Sequence, residues 1–171
     1  EILKKITLNP AIEDDFIDKN LTISDYINEI VKSFEEISDK KFIINQDQNS
    51  NPITITKSME IVYGLRNFIG NANKFANSKI FINVKSDSNF TEVIIEDDGQ
   101  GYPKDVLNKI GEPYIKSINS STKSKSGLGL GIFIGKTLLE KNYANILCRN
   151  SKTRSGAEVC IKWKNESLIN I

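Results

Sequence analysis

Residues 126–139 read Ser-Gly-Leu-Gly-Leu-Gly-Ile-Phe-Ile-Gly-Lys-Thr-Leu-Leu, a polar loop that runs through three alternate glycines into an apolar helix. Gly127, Gly129 and Gly131 leave backbone N–H groups open at a helix start, where the helix dipole favours an anion. A phosphate is the expected occupant. Two familiar phosphate loops do not fit. A Walker A loop would need glycine five residues before Gly135, where Leu130 stands. A dinucleotide fingerprint would need a preceding strand and Gly-x-Gly-x-x-Gly, whereas the approach here is a Ser/Lys-rich loop. Taken by itself the stretch is served as well by glycines that let a helix begin close to a neighbour.

Two other stretches change that balance. Over residues 58–76, Ile61, Val62, Leu65, Phe68, Ile69, Ala72, Phe75 and Ala76 recur at helical period and predict an apolar stripe. Asn67, Asn71 and Lys74 follow at i, i+4 and i+7 on a neighbouring face. Asparagine is a poor helix former, so two of them one turn apart carry a cost in propensity; the bland account is a solvated face in an Asn-rich chain. Residues 79–86 and 90–96 alternate as a hairpin whose second strand delivers Asp97-Asp98-Gly99-Gln100-Gly101, residues that also serve as an ordinary turn.

A bound nucleotide needs a polar group for the base, a metal for the phosphates and backbone donors for their charge, and the three stretches supply these roles. The side-chain oxygen of Asn71 suits Mg²⁺, a hard cation that keeps several waters when phosphates are present. Lys74 adds positive charge one turn on, and Asp97 can accept from an exocyclic amine such as that of adenine. Gly99 and Gly101 let the strand end lie close to a flat ring, while the Ser/Thr/Lys-rich segment 117–126 is expected to be mobile and to close as a lid.

Composition limits the alternatives. With Lys+Arg 23 against Asp+Glu 22 in 171 residues, nothing electrostatic favours nucleic acid or an anionic membrane. No apolar run is long enough to cross a bilayer and no signal-peptide pattern opens the chain, so a soluble, cytoplasmic piece is expected. There is no histidine, which removes a His base, nucleophile or ligand from this segment. Cys148 and Cys160 lie in strand-like runs without metal-ligand spacing and are expected as buried reduced thiols, a cross-strand disulfide being the less favoured alternative.

In chain order, residues 1–7 read as the last turns of an amphipathic helix ended by Asn9-Pro10, and 10–21 as an acidic linker. A helix capped by Thr22 or Ser24 is expected to about residue 38, followed by short strands at 42–44 and 53–55. One or two helical turns fall within 102–116, and strands at 144–149 and 158–164 close the domain before a tail at 165–171.

Asn-Phe-Ile-Gly-Asn-Ala-Asn-Lys-Phe (67–75) resembles the N box of histidine kinases, residues 97–101 their first glycine box and 127–131 their second. The chain is thereby identified as a member of the group with the Bergerat-type ATP-binding fold, shared with gyrase, Hsp90 and MutL, over roughly residues 22–164. Gly-Glu-Pro-Tyr (111–114) and the run from Gly127 into Leu-Leu-Glu are similar to the RegB/PrrB/ActS-type sensor kinases, which govern redox-responsive gene expression. The resemblance implies an α/β sandwich, a mixed, mostly antiparallel sheet covered on one face by about three helices, with a flexible ATP lid. It implies ATP and Mg²⁺ as cofactors, with Asn71 the metal ligand, Asn67 near the phosphates and Lys74 holding phosphate. Asp97 would hold the adenine; Gly99, Gly101, Gly127, Gly129 and Gly131 would allow close backbone approach, and Phe75, Tyr102, Leu128 and Leu130 would line the same site. Phe75 stands where many kinases have Tyr, and Lys116 stands in for the basic lid residue.

In such kinases the phosphoacceptor histidine lies on an upstream helical hairpin, of which residues 1–9 resemble the tail. The implied partners are that hairpin, through which the full-length protein would form a homodimer, and a response regulator, with the whole protein anchored in the inner membrane. This segment would bind and position ATP without phosphorylating itself. Within the fold, the ATP-hydrolysing branches carry Glu four residues before the metal-binding Asn; here that residue is Asn67, which has no carboxylate to act as base. The competing readings are a related ATPase, an anti-sigma-type serine kinase, and a degenerate module that keeps the fold for protein contacts.

Overall fold

The computed structural model describes residues 20–47, 49–56, 58–110 and 128–170, with only the backbone of 128 and 129. The expected hairpin tail at 1–9, nearly all of the linker, the Gly-Glu-Pro-Tyr motif, the lid, Lys116 and Gly127 lie outside the described residues.

The chain enters through a two-residue strand, β1 (Leu21–Thr22), whose second residue caps helix α1 (Ile23–Glu35). Thr22 Oγ1 accepts from the Asp25 amide at 3.1 Å and Asp25 Oδ2 accepts from the Thr22 amide at 3.0 Å, a reciprocal capping box. Ile23, Ile27, Ile30 and Val31 turn inward at helical spacing. After β2 (Lys41–Gln46) and the short β3 (Thr54–Ile55), which pairs with β1, Ser58 caps α2 (Met59–Phe75) by accepting from the Ile61 amide. Strands β4 (Lys79–Ser86) and β5 (Phe90–Asp97) form the expected hairpin, and α3 (Lys104–Leu107) is a single turn. Helix α4 (Leu128–Lys141), β6 (Asn145–Asn150) and β7 (Ala157–Lys164) follow. Residues 165–169, expected as part of a tail, form α5 (Asn165–Ile169), which buries Leu168; a single leucine in a polar stretch is too little periodicity to announce a helix.

The main sheet has the order β2-β4-β5-β7-β6, parallel only between β2 and β4. Alternation separates its faces. Ile80, Ile82, Val84, Val93, Ile95, Val159, Ile161 and Trp163 pack in one core with α1, α2 and α4. The opposite face carries a row of register partners running Phe81, Glu96, Glu158, Arg149 across four strands. Cys148 pairs with Val159 and Leu147 with Cys160, so the two cysteines point to opposite faces and cannot bridge; both are free thiols.

Helices α2 and α4 run antiparallel and close together because side chains are omitted at the contact. A Cβ on Gly64 would lie 2.5 Å from Leu139 Cγ, and one on Gly135 would lie 2.8 Å from Phe68 Cε2. Glycine inside a helix costs about 1 kcal/mol against alanine; close approach is what that cost obtains. Polar contacts fix the far end, where Glu60 accepts from Lys141 at 2.9 Å and from the Asn142 amide group. Helix α4 ends in a Schellman motif, with Ala144 N–H bonded to Leu139 O and Tyr143 N–H to Glu140 O, both at 3.0 Å. Tyr143 takes the left-handed position there, at φ 68°.

Candidate functional site

Packing of α2 against α4 decides where the amides of the third stretch go. The register that sets Gly64 beside Leu139 carries Asn71 to the start of α4, where a Cβ on Gly131 would lie only 3.1 Å from Asn71 Oδ1. Asn71 Nδ2 is buried without a hydrogen-bond partner. One turn earlier, Asn67 Nδ2 donates to Tyr63 O at 2.8 Å, which leaves its carbonyl oxygen the group with acceptor capacity. Lys74 is exposed, with Nζ 5.5 Å from the centre of the Phe75 ring.

The C-terminal end of α2 is tied to the end of β5. Lys40 Nζ donates to the Asn73 carbonyl, where a cation also suits the helix dipole. Gly99 sits against the Phe75 carbonyl, which a Cβ would approach to 2.2 Å. Asp98, a residue to which the sequence reading gave no role, accepts from the amides of Asn77 and Ser78 at 2.8 and 2.9 Å and from Ser78 Oγ at 2.7 Å. Burial pushes the Asp98 carboxyl up, but the bonds from Ser78, Lys79 and Asn77 outweigh it and hold it at about 2.

Asp97 is only 3% exposed. Its Oδ1 accepts from the Gly99 amide at 2.8 Å and the Ala157 amide at 3.4 Å. Burial raises its pKa above the ordinary carboxylate value, against the lowering effect of those two bonds. Both of these bonds end on Oδ1, so Oδ2 is the atom a donor on a ligand would address.

A fourth piece, the turn at residues 150–156 between β6 and β7, carries no motif in the sequence that marks it as part of the site. A Cβ on Gly156 would lie 2.0 Å from Asp97 O and 2.3 Å from Asp97 Oδ1, so only glycine lets the turn close over the aspartate. Asn150 accepts from Tyr102 N–H at 2.6 Å and donates to Tyr102 O at 2.9 Å. Gly101, at φ 76°, lies beneath the same side chain. The clue available in the sequence was the Asn150 to Gly156 stretch itself, but nothing local says which strand end a turn will cover.

The structure therefore brings Asn71 to Gly131, and Asp97, Gly99 and Gly101 to Phe75 and the β6–β7 turn. Leu130 is half-buried on α4, while Leu128 and Gly129 are described as helical backbone alone. Tyr102 does not present its ring outward: it is 8% exposed and its hydroxyl bonds to the Cys148 thiol. Burial pushes the Tyr102 phenol well up and both Cys148 and Cys160 to about 11, so both cysteines are thiols at neutral pH.

A magnesium site is compatible with this chemistry. Among the described residues no group of three His, Cys, Asp or Glu side chains could hold a metal, so a protein cage is absent there. An amide with its nitrogen unpaired can turn its oxygen to a hard cation without losing a bond, and Mg²⁺ takes most of its shell from phosphate and water.

Residues 56–167 match the family model described as histidine kinase-, DNA gyrase B- and HSP90-like ATPase. A sensor histidine kinase RegB of Cereibacter sphaeroides is 32% identical over 130 residues, covering 67% of this chain and 28% of that protein. A putative NtrY-like sensor histidine kinase of Rickettsia felis is 26% identical over 146 residues, covering 83% of this chain and 23% of that one. This chain thus spans under a third of these relatives. Among solved structures, the mycobacterial sensor histidine kinase MprB superposes with TM-score 0.70 at 18% identity, covering 84% of this chain and 96% of that one. Full-length ShkA in complex with AMPPNP gives 0.66 at 19%, covering 85% and 30%. At such identities the structural likeness establishes the fold.

Proposed function

Because this chain belongs to the histidine kinase-, DNA gyrase B- and HSP90-like ATPase family, we propose that it binds Mg-ATP and presents the terminal phosphate to a histidine. The sequence has no histidine of its own, so the acceptor is supplied from outside it, on the helical hairpin whose tail residues 1–9 resemble. From there the phosphoryl group passes to a response regulator. The full-length protein is a homodimer through that hairpin, anchored in the inner membrane with this domain on the cytoplasmic side.

The reading is supported by one observation: two contacts, Asn71 with Gly131 and Gly99 with Phe75, bring three stretches distant in sequence against one another. Asp97 accepts from the base through Oδ2 while Gly99 and Gly101 let the ring lie against backbone. Asn71 and Asn67 offer amide oxygens at the phosphate end, Lys74 offers charge, and the N–H groups at the start of α4 face the phosphates. Mg²⁺, when bound, neutralises phosphate charge and would be held by Asn71. Lys116 and Gly127 are assigned to the same end from the motif.

Asn67 favours transfer over hydrolysis. Its nitrogen donates to the helix backbone, and an amide at this position has no carboxylate to act as base for water. What this chain contributes is positioning and charge neutralisation, with the nucleophile brought by its partner. Calorimetric titration with Mg-ATP tests the reading: Asn71→Ala and Asp97→Asn each abolish binding while circular dichroism keeps the native spectrum. Unchanged affinity in both variants refutes it, and steady Mg²⁺-dependent phosphate release by the isolated domain would favour an ATPase instead.

A further inference from the structure

The β6–β7 turn touches Gly99, Gly101 and Tyr102 in the segment that follows β5. Asn150 closes the hairpin opposite Ala157, the residue whose amide reaches Asp97. Its side chain spends acceptor and donor on the two backbone groups of Tyr102, the pattern a neighbouring strand would offer. Gly101 lies so close beneath that a Cβ would meet Asn150 Oδ1 at 2.7 Å. Ser155, a non-glycine residue at φ 63°, donates through Oγ to Gly99 O at 3.5 Å. Left-handed backbone costs about 1–2 kcal/mol for such a residue, so the turn is held in a shape it would not adopt alone. The hold comes from the outer sheet face. Ser151 Oγ donates to Glu96 Oε2 at 2.6 Å and accepts from the Arg154 amide at 3.1 Å, while the Arg154 guanidinium lies 3.5 Å from the Phe81 ring centre.

We propose that Asn150 is a positioning residue for the base end of the nucleotide site. By clamping Gly101 and Tyr102 it fixes the Gly99 amide, and with it the direction of the Asp97 carboxylate, which sets selectivity for a base bearing an exocyclic amine. This rests on the nucleotide reading above. Among the described residues, the side-chain contacts of Asn150 are with Gly101 and Tyr102 and none is with Asn67, Asn71 or Gly131, so its loss should separate the two halves of the ligand. A role confined to general stability would weaken all nucleotides alike.

The test compares Mg-ADP with Mg-IDP, whose hypoxanthine carries a carbonyl where adenine has its amine, by calorimetry on the whole chain. Asn150→Ala is expected to weaken ADP about tenfold, a change of one decade in Kd, and IDP by less than about twofold on the same scale. Lys152→Ala, in the same turn but exposed and outside the clamp, should change neither. Wild-type selectivity retained in Asn150→Ala, or an equal loss for both nucleotides, overturns the proposal while leaving nucleotide binding intact. Wild-type protein that binds neither nucleotide overturns the functional reading and this inference with it. If Asn150→Ala does not fold, Asn150→Asp carries the comparison, because it keeps the acceptor for Tyr102 N–H and loses the donor to Tyr102 O. Selectivity lowered in it supports the clamp, and selectivity intact overturns it.

Discussion

Asp98 is the residue whose removal has the most calculable effect. Its carboxylate ties the connection between α2 and β4 to the end of β5 through Asn77 and Ser78. Its pKa falls from an ordinary 3.8 to about 2 on folding. At 1.36 kcal/mol per pKa unit, that difference is worth at most about 2.5 kcal/mol. Asp98 is partly solvated, and screening reduces the figure to about 1–2 kcal/mol. Urea unfolding at pH 7 should show Asp98→Ala less stable by that amount with an unchanged m-value. The pH dependence has a definite sign. A depressed carboxyl stabilises the folded state above its unfolded pKa, and the benefit disappears as pH falls through the folded one. The gap between wild type and variant should therefore be full above about pH 4 and close towards pH 2. A gap that stays constant over that range, or no gap at pH 7, would show that the bonds to Asn77 and Ser78 contribute nothing specific to the ionised form.

Asp97 should behave in the opposite sense. Burial raises its pKa, so the folded state holds the proton longer than the unfolded one, and its contribution to stability falls as pH rises through that window. Thermal unfolding of Asp97→Asn without nucleotide at pH 7 should accordingly give a higher Tm than wild type, and wild-type ATP affinity should weaken as pH drops through the raised value. Tyr143→Gly should stabilise the domain by about 1 kcal/mol in chemical unfolding, because glycine pays no penalty at φ 68° and the side chain is exposed. Gly64→Ala should destabilise it by about 1–3 kcal/mol, since the new methyl falls 2.5 Å from Leu139 Cγ; equilibrium unfolding measures it, and ATP affinity should fall in parallel as α4 is pushed from Asn71.

The elements were legible where periodicity was strong. The helix over 58–76, the Thr22 cap and the 79–86/90–96 hairpin all stand within two residues of expectation. Stretches with little pattern were not: Leu168 alone could not signal α5, and Leu21, expected in a linker, pairs with Ile55. For the proposed site, the sequence pointed to residues whose chemistry suits a nucleotide but not to those that hold them in place. Asp98, Asn150 and Gly156 act through contacts 20 to 60 residues away, as in Ser78 with Asp98, Asn150 with Tyr102 and Ala157 with Asp97. Such pairings depend on the strand order β4-β5-β7-β6, which no local pattern encodes. Tyr102 shows the converse: adjacency to the first glycine box suggested a ligand contact, but the Asn150 clamp fixes its backbone and its hydroxyl bonds to Cys148.

This difference between named and holding residues makes the two ends of the site mechanically unlike. At the base end, Asp97 is buried, and the α2–β4 connection, β5 and the β6–β7 turn brace one another through Asp98, Gly99, Asn150 and Gly156. A group so surrounded cannot rearrange cheaply, so a pre-set carboxylate direction is available before any ligand arrives. At the proposed phosphate end Asn71 approaches Gly131, with Asn71 Nδ2 unpaired although buried. An unpaired buried amide costs about 1–3 kcal/mol until something engages it, so ligand binding gains there what folding left unsatisfied. The base end would then confer selectivity and the phosphate end would respond to whether the terminal phosphate is present. Substitution of Asn150 should change the ratio of ADP to IDP affinity and leave the ratio of ATP to ADP affinity alone, while Asn71→Ala, which removes ATP binding, should leave the ratio of ADP to IDP affinity alone. Both classes of variant shifting both ratios together would mean that the two ends are one cooperative unit, and the distinction drawn from their bracing would be wrong.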